Sequence, residues 1–111
     1  MMLPELYESV VRRQPAAGQD DFFEGCNQAV GRLCAVYGAE HVLTEGRTPP
    51  SVRDLQDSLP LRGEYRGALI EGILLQLTGK AEHETAFRRA AELAFATVRR
   101  GSAATVRGRR F

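Results

Sequence analysis

The sequence predicts an all-α fold, and three observations carry that prediction. Apolar residues recur at helical spacing in four separate runs. Glycines and prolines fall at the ends of those runs, where helices start and stop. Within residues 1–100 the stretches with extended character, His41–Thr44 and Ser51–Leu55, are short and lie inside one glycine- and proline-bearing segment. At 111 residues and 12.2 kDa the chain has room for one core. Residues 1–100 are therefore expected to form a single bundle of four to five helices, and residues 101–111 a basic C-terminal arm.

The first helix, at roughly 3–13, follows from Leu3, Leu6, Tyr7 and Val10, with Pro4 favourable at the first helical position and Pro15 ending the run. Residues 15–19 read as a loop. Asp21 with Glu24 approximates a capping box, and Phe22, Cys26, Ala29, Val30, Leu33 and Tyr37 trace the stripe of a second helix. Gly38 is expected to close it as a left-handed cap.

Residues 39–60 break the pattern. Gly46, Pro49 and Pro50 exclude a helix across the segment. A long loop, open or folded as a small hairpin, is expected to project over 39–56. A loop of this length in so short a chain points to a contact surface. Its candidate contact residues are His41, Val42, Leu43, Thr44, Glu45, Arg47, Pro49 and Pro50.

The third helix, at roughly 62–78, carries Leu69, Ile70, Ile73, Leu74, Leu75 and Leu77 around most of its circumference, the mark of a central buried helix. Gly79 stops it. The fourth, at roughly 81–99, presents Phe87, Ala91, Ala94, Phe95 and Val98 on one face, with Glu84 and Arg88 as an i,i+4 pair outside. Gly101 is expected to end it, and residues 101–111 to be disordered in the free chain. Leu69, Ile73 and Leu77 are expected to pack against Phe87, Ala91 and Phe95 on one side and Val30 and Leu33 on the other. Gly25, Gly31, Gly67 and Gly72 lie inside expected helices, each at a cost of about 1 kcal/mol relative to alanine. Close backbone contacts, within or between chains, would offset that cost.

Charge is unevenly placed. Residues 99–111 hold five arginines and no acid, whereas the remaining 98 residues carry ten bases and fourteen acids. A mildly acidic body with a basic tail results. The longest apolar stretch, Ala68–Leu77, is interrupted by Glu71, Gly72 and Gln76 and is half the length of a membrane span, so no membrane insertion is expected. Two cysteines and no secretory leader fit a reducing compartment.

Catalytic signals are poor. Phosphate-loop, dinucleotide and nucleophile-elbow patterns are absent. Cys26, Cys34, His41 and His83 form a conceivable zinc set, but their spacing matches no ordinary finger and buried thiols are common for packing reasons alone. No metal, cofactor or enzymatic activity is expected. His83 beside Glu82 and Glu84 reads as a solvated face, and Asp20, Asp21, Asp54 and Asp57 as caps and loop polar groups. The tail admits three readings: phosphate neutralisation by its arginines, a docking arm that adds a strand to a partner through Ala103–Arg107, or a solvated end.

The run from Leu59 through Glu64, Tyr65 and the Ala68–Leu77 helix to Gly79, followed by Ala90–Arg99, resembles the C-terminal half of tailed-phage and prophage head–tail connector (adaptor) proteins. In that family a proline-led Glu-Tyr precedes an Ala-Leu helix ending in glycine, and a second alanine- and aromatic-rich helix leads to a basic arm. Asp21–Val30 is similar to the family's second helix, so the likeness covers about residues 20–100. It implies a structural virion subunit in a homo-oligomeric ring, usually of twelve, at the capsid neck. The portal protein would lie above it, a stopper or tail-completion protein below, and DNA would pass through the lumen without sequence-specific binding. Such a subunit would be in the host cytoplasm before assembly. On this reading the arm residues Arg99, Arg100, Val106, Arg107, Arg109, Arg110 and Phe111 dock on the portal. The alternative is a small helical DNA-binding regulator or packaging accessory that uses the same arginines on phosphate.

Overall fold

The computed structural model describes the backbone of residues 1–108 and the side chains of residues 1–101. Five α-helices run in the order α1 (Leu3–Arg13), α2 (Gln19–Tyr37), α3 (Ala39–Val42), α4 (Arg66–Thr78) and α5 (Ala81–Gly108). A 3-10 turn, Gly63–Tyr65, leads into α4. Among the described residues the only strand-like features are two isolated antiparallel bridges, Met2 with Ser58 and Leu43 with Leu61.

The central position of α4 follows from its composition. Ala68, Leu69, Ile73 and Leu74 are buried on several sides of the helix, and α4 makes its most extensive contacts with α5 and α2. A helix apolar around most of its circumference has no face to give to water and is stable only between neighbours. Of the residues expected to pack together, Leu69, Ile73, Phe87, Ala91, Val30 and Leu33 are all buried in one core; Leu77 and Phe95 are only partly so.

Helix boundaries differ from expectation at three places. α2 begins at Gln19, behind Gly18, with no side-chain cap. Asp21 and Glu24 therefore sit inside the helix, and Asp20 and Asp21 act instead as anions near its positive N-terminal end. The start of the third expected helix is a 3-10 turn followed by α4 from Arg66, capped by Gly79 in the left-handed conformation at φ 67°. The last helix does not stop at Gly101. Gly101 lacks the positive φ found at Gly38, Gly46 and Gly79, and α5 continues to Gly108. Ala103 and Ala104 beyond it are strong helix formers, and one glycine is tolerated in such a run. The arm is thus a helical continuation over 101–108; Arg109, Arg110 and Phe111 lie outside the described residues.

The loop is also tighter than expected. His41 and Val42 are helical, because the chain turns straight from Gly38 at φ 87° into α3. The extended residues that follow pair with 60–62 and not with 51–55: the Thr44 N–H donates to the Pro60 carbonyl (2.9 Å) and the Arg62 N–H to the Val42 carbonyl (3.0 Å). Val42, Leu43, Val52, Leu59 and Leu61 are buried. Within 39–56 Val42, Leu43 and Val52 are buried and tie the segment to the body, whereas residues 44–49 form an exposed tip and Ser51, Arg53, Asp54 and Gln56 are exposed as well.

Candidate protein-interaction site at Phe95

Phe95 lies on α5 beside the buried Ala91 and Ala94 but keeps part of its ring in solvent. Three elements converge on it. Tyr37, at the end of α2, stacks with tilted rings at a centroid distance of 4.7 Å. His41, on α3, meets it edge-on at 5.5 Å. One turn along α5, the Arg99 guanidinium sits 5.8 Å from the ring centroid, within cation–π range. The 3-10 turn adds Tyr65, whose ring centroid is 6.4 Å from that of Tyr37.

The local sequence explains this convergence. Gly38 ends α2 immediately after Tyr37 and permits the reversal that puts α3 back across α5. Arg62 fastens the other side, donating from its Nη2 to the Glu40 carbonyl at 3.1 Å. Tyr65 is fully buried, yet its hydroxyl has no hydrogen-bond partner, and neither has the buried Nε of Arg62. Burial pushes the Tyr65 phenol up to about 12, with Tyr37 adding to the effect. That hydroxyl stays a neutral donor. Burial, reinforced by Glu92, likewise raises Tyr37, and burial with Glu40 raises the Cys34 thiol. The partly exposed Phe95, Tyr37 and His41 rings and the exposed Arg99 guanidinium together suit recognition of a protein surface, whereas the Tyr65 hydroxyl lies buried beneath them.

The structure thus brings together two segments that the sequence treats separately. His41, from the loop set, and Arg99, from the arm set, share one ring. Val42 and Leu43 are buried in the core and belong to the fold itself. Thr44, Glu45, Arg47 and Pro49 are exposed at the tip, and Pro50 is half-buried. Asn27 holds the tip's far end: its Nδ2 donates to the Val52 carbonyl (3.0 Å) and its Oδ1 accepts the Val52 N–H (2.8 Å). Arg100 is exposed on α5, and its Nε approaches the Ala96 carbonyl at 3.4 Å. The side chains of Val106 and Arg107, and all of Arg109, Arg110 and Phe111, lie outside the described residues.

Sequence reading misses the role of Asn27, for which a polar residue beside the apolar stripe of α2 is the signal, and singles out Tyr65 only within its Glu-Tyr run, with nothing local to announce its burial. His83 corrects the expectation of a solvated face. Its side chain is 12% exposed, and its Nδ1 lies 2.7 Å from Glu71 Oε2, while Arg13 Nη1 donates to Glu71 Oε1 at 2.8 Å. Glu71 on the central helix needs cationic or donor partners, and α1 and α5 supply them. A second cross-link forms where both Arg32 of α2 and Arg88 of α5 bind Glu84.

Among the described residues no group of three metal-ligating side chains is assembled. Cys26 is buried in the core and its thiol is pushed up to about 12 by that burial, so it behaves as an apolar side chain. No described helix is long and apolar enough to cross a membrane. None of the protein-family models, curated proteins or solved structures compared with this chain matches it.

Proposed function

We propose that this chain is a subunit of a head–tail connector ring in the neck of a tailed phage. It would bind the portal protein through its C-terminal arm and a stopper or tail-completion protein through other surfaces. The reading rests on the resemblance over about residues 20–100, and one structural observation supports it above others: the base of the exposed loop and the root of the basic arm are fixed to the same ring, Phe95, through His41 and Arg99. A subunit that must hold two neighbours in register needs its protruding contacts anchored to one rigid point. Several arms in one ring would bind with avidity, so each can be individually weak. The role is structural, with no reaction required of any residue.

The test is removal of residues 101–111, followed by binding to a portal ring and to duplex DNA at two salt concentrations. Loss of portal binding, with negligible DNA affinity in both forms, is the expected result. Tight duplex binding that vanishes with the arm, and whose logarithm falls with log salt by about 0.9 per phosphate contact, would replace this reading with a DNA-binding regulator.

A further inference from the structure

The loop tip is tied at both ends and by no polar contact between them. Among the described residues, none of 45–51 takes part in a hydrogen bond or an ion pair. Before them the Thr44 N–H is bound by Pro60, and after them Val52 is bound twice by Asn27. An unsupported span of this kind is ordinarily costly to order against a partner. Here Pro49 and Pro50 stiffen it. The Pro49 ring fixes φ, and Pro50 after it keeps ψ extended, which is polyproline II geometry. Such a run is recognised through proline rings laid on aromatic faces.

The same chain carries an aromatic face of that kind in Tyr37, His41 and Phe95, all partly exposed. Its two ends are oppositely charged. Glu92 stands one turn before Phe95 on the same side of α5, and Arg99 one turn after it. Both are exposed, and neither is in an ion pair with another described residue; Glu92 acts on Tyr37 and Arg99 on the Phe95 ring. The tip repeats this pattern. Glu45 precedes its prolines and Arg53 follows them, and among the described residues both side chains are exposed and unpaired. Arg47 is also exposed and unpaired; Glu40, whose side chain is 72% exposed beside His41, is the acid left for it.

We propose that the Pro49–Pro50 tip of one copy lies antiparallel to α5 across the Tyr37–Phe95 face of a second copy. The prolines cover the aromatic rings, Glu45 meets Arg99, and Arg53 meets Glu92. Running the other way, the tip would set like charges together, so the charges fix its direction. The tip of each copy gives and the face receives. The contact is therefore head-to-tail and continues into a closed ring or an open filament. It rests on the ring reading above and names the subunit contact that reading requires.

Sedimentation velocity tests it on the full chain, on Glu45→Arg, on Arg99→Glu, on the double variant and on an equal mixture of the two single variants. The full chain should grow beyond two copies as its concentration rises. Each single variant sets like charges together, and its assembly should need about tenfold more protein at low salt. Both positions are exposed, so circular dichroism should find the fold unchanged. The double variant should recover assembly. So should the mixture, because the altered tip of one variant matches the altered face of the other while the unaltered pair still fits. Recovery in the mixture places the pairing between chains and not within one. Replacing both Pro49 and Pro50 with alanine should weaken assembly at low and high salt alike. A full chain that stays monomeric or stops at two copies, single variants that assemble normally, or a mixture that recovers nothing would overturn the contact. Any of these results, together with arm-dependent portal binding, would remove this contact and leave the connector reading standing.

Discussion

Gly72 of α4 packs so closely on Ala29 of α2 that a β-carbon added to the glycine would lie 2.7 Å from the Ala29 β-carbon. The Phe87 ring closes the other side at 3.0 Å. Three helices meet at this point, and their spacing is set by a missing side chain. Gly25 of α2 makes a similar close approach to α4, against the Ile73 α-carbon at 3.2 Å. Gly67 and Gly31 have nothing within 4 Å of an added β-carbon.

Substitution should therefore separate the helix glycines into two classes. Gly72→Ala forces the α2–α4–α5 contact apart and should cost about 1–3 kcal/mol by overpacking. Gly67→Ala meets no neighbour and should gain up to about 1 kcal/mol from helix propensity. Denaturant midpoints of the two variants should move in opposite directions. A stabilised Gly72→Ala would mean that the helices can separate freely.

The Arg13–Glu71–His83 bridge makes stability depend on pH. Burial by itself would raise the Glu71 carboxyl, but hydrogen bonds from Arg13 and His83 outweigh it and hold the group below its ordinary value of 4.5. A carboxylate with a depressed folded-state pKa contributes stability that is complete above the unfolded-state value and is lost as pH falls through the folded one. Glu71→Gln should be less stable at neutral pH by about 1–2 kcal/mol, a charge-assisted pair discounted because Arg13 is half exposed. Its loss of stability below pH 4.5 should also be shallower than in the unmodified chain. Parallel acid profiles for the two would show that the bridge contributes nothing.

Much of this architecture is legible in local sequence. Pro4 and Pro15 bracket α1 as their chemistry requires, and Gly79 caps α4 at positive φ. The same rule fails at Gly101, because a glycine followed closely by two alanines can continue a helix as easily as end it. The apolar circumference of α4 announces its central place. What local sequence does not reveal is pairing between distant residues: Leu43 with Leu61, Asn27 with Val52, and His41 with Arg99 across Phe95. Those pairings depend on how α3 folds back after Gly38, a turn whose direction is decided by the body it packs on. The expectation for His83 fails for the same reason, since its partner Glu71 lies on another helix.

Ile73 is fully buried, and its α-carbon forms the floor beneath Gly25. Ile73→Ala should cost about 2–5 kcal/mol, the lost transfer energy plus the cavity left behind. Neighbours tied by Gly25 and Gly72 have little freedom to collapse into that space, which favours the upper end of the range. An unchanged melting midpoint would show that α4 is not the central helix.

The loop tip provides the sharpest separation between folding and assembly. Its near end is held by the Leu43–Leu61 bridge and its far end by Asn27 on Val52. Replacing Asn27 with leucine leaves the Val52 N–H and carbonyl without their partner and should cost about 1–3 kcal/mol. Amide exchange should accelerate over residues 44–57 while α4 stays protected. Deleting Thr44–Pro50 removes only exposed and half-buried residues between those anchors. Unfolding of that variant should remain cooperative, with a midpoint near that of the full chain. If the tip meets a neighbour, as its Pro49-Pro50 stiffening suits it to do, light scattering should find the deletion monomeric under conditions where the full chain assembles. Normal assembly by the deletion variant would reduce the tip to a connection between α3 and the Leu59–Leu61 segment.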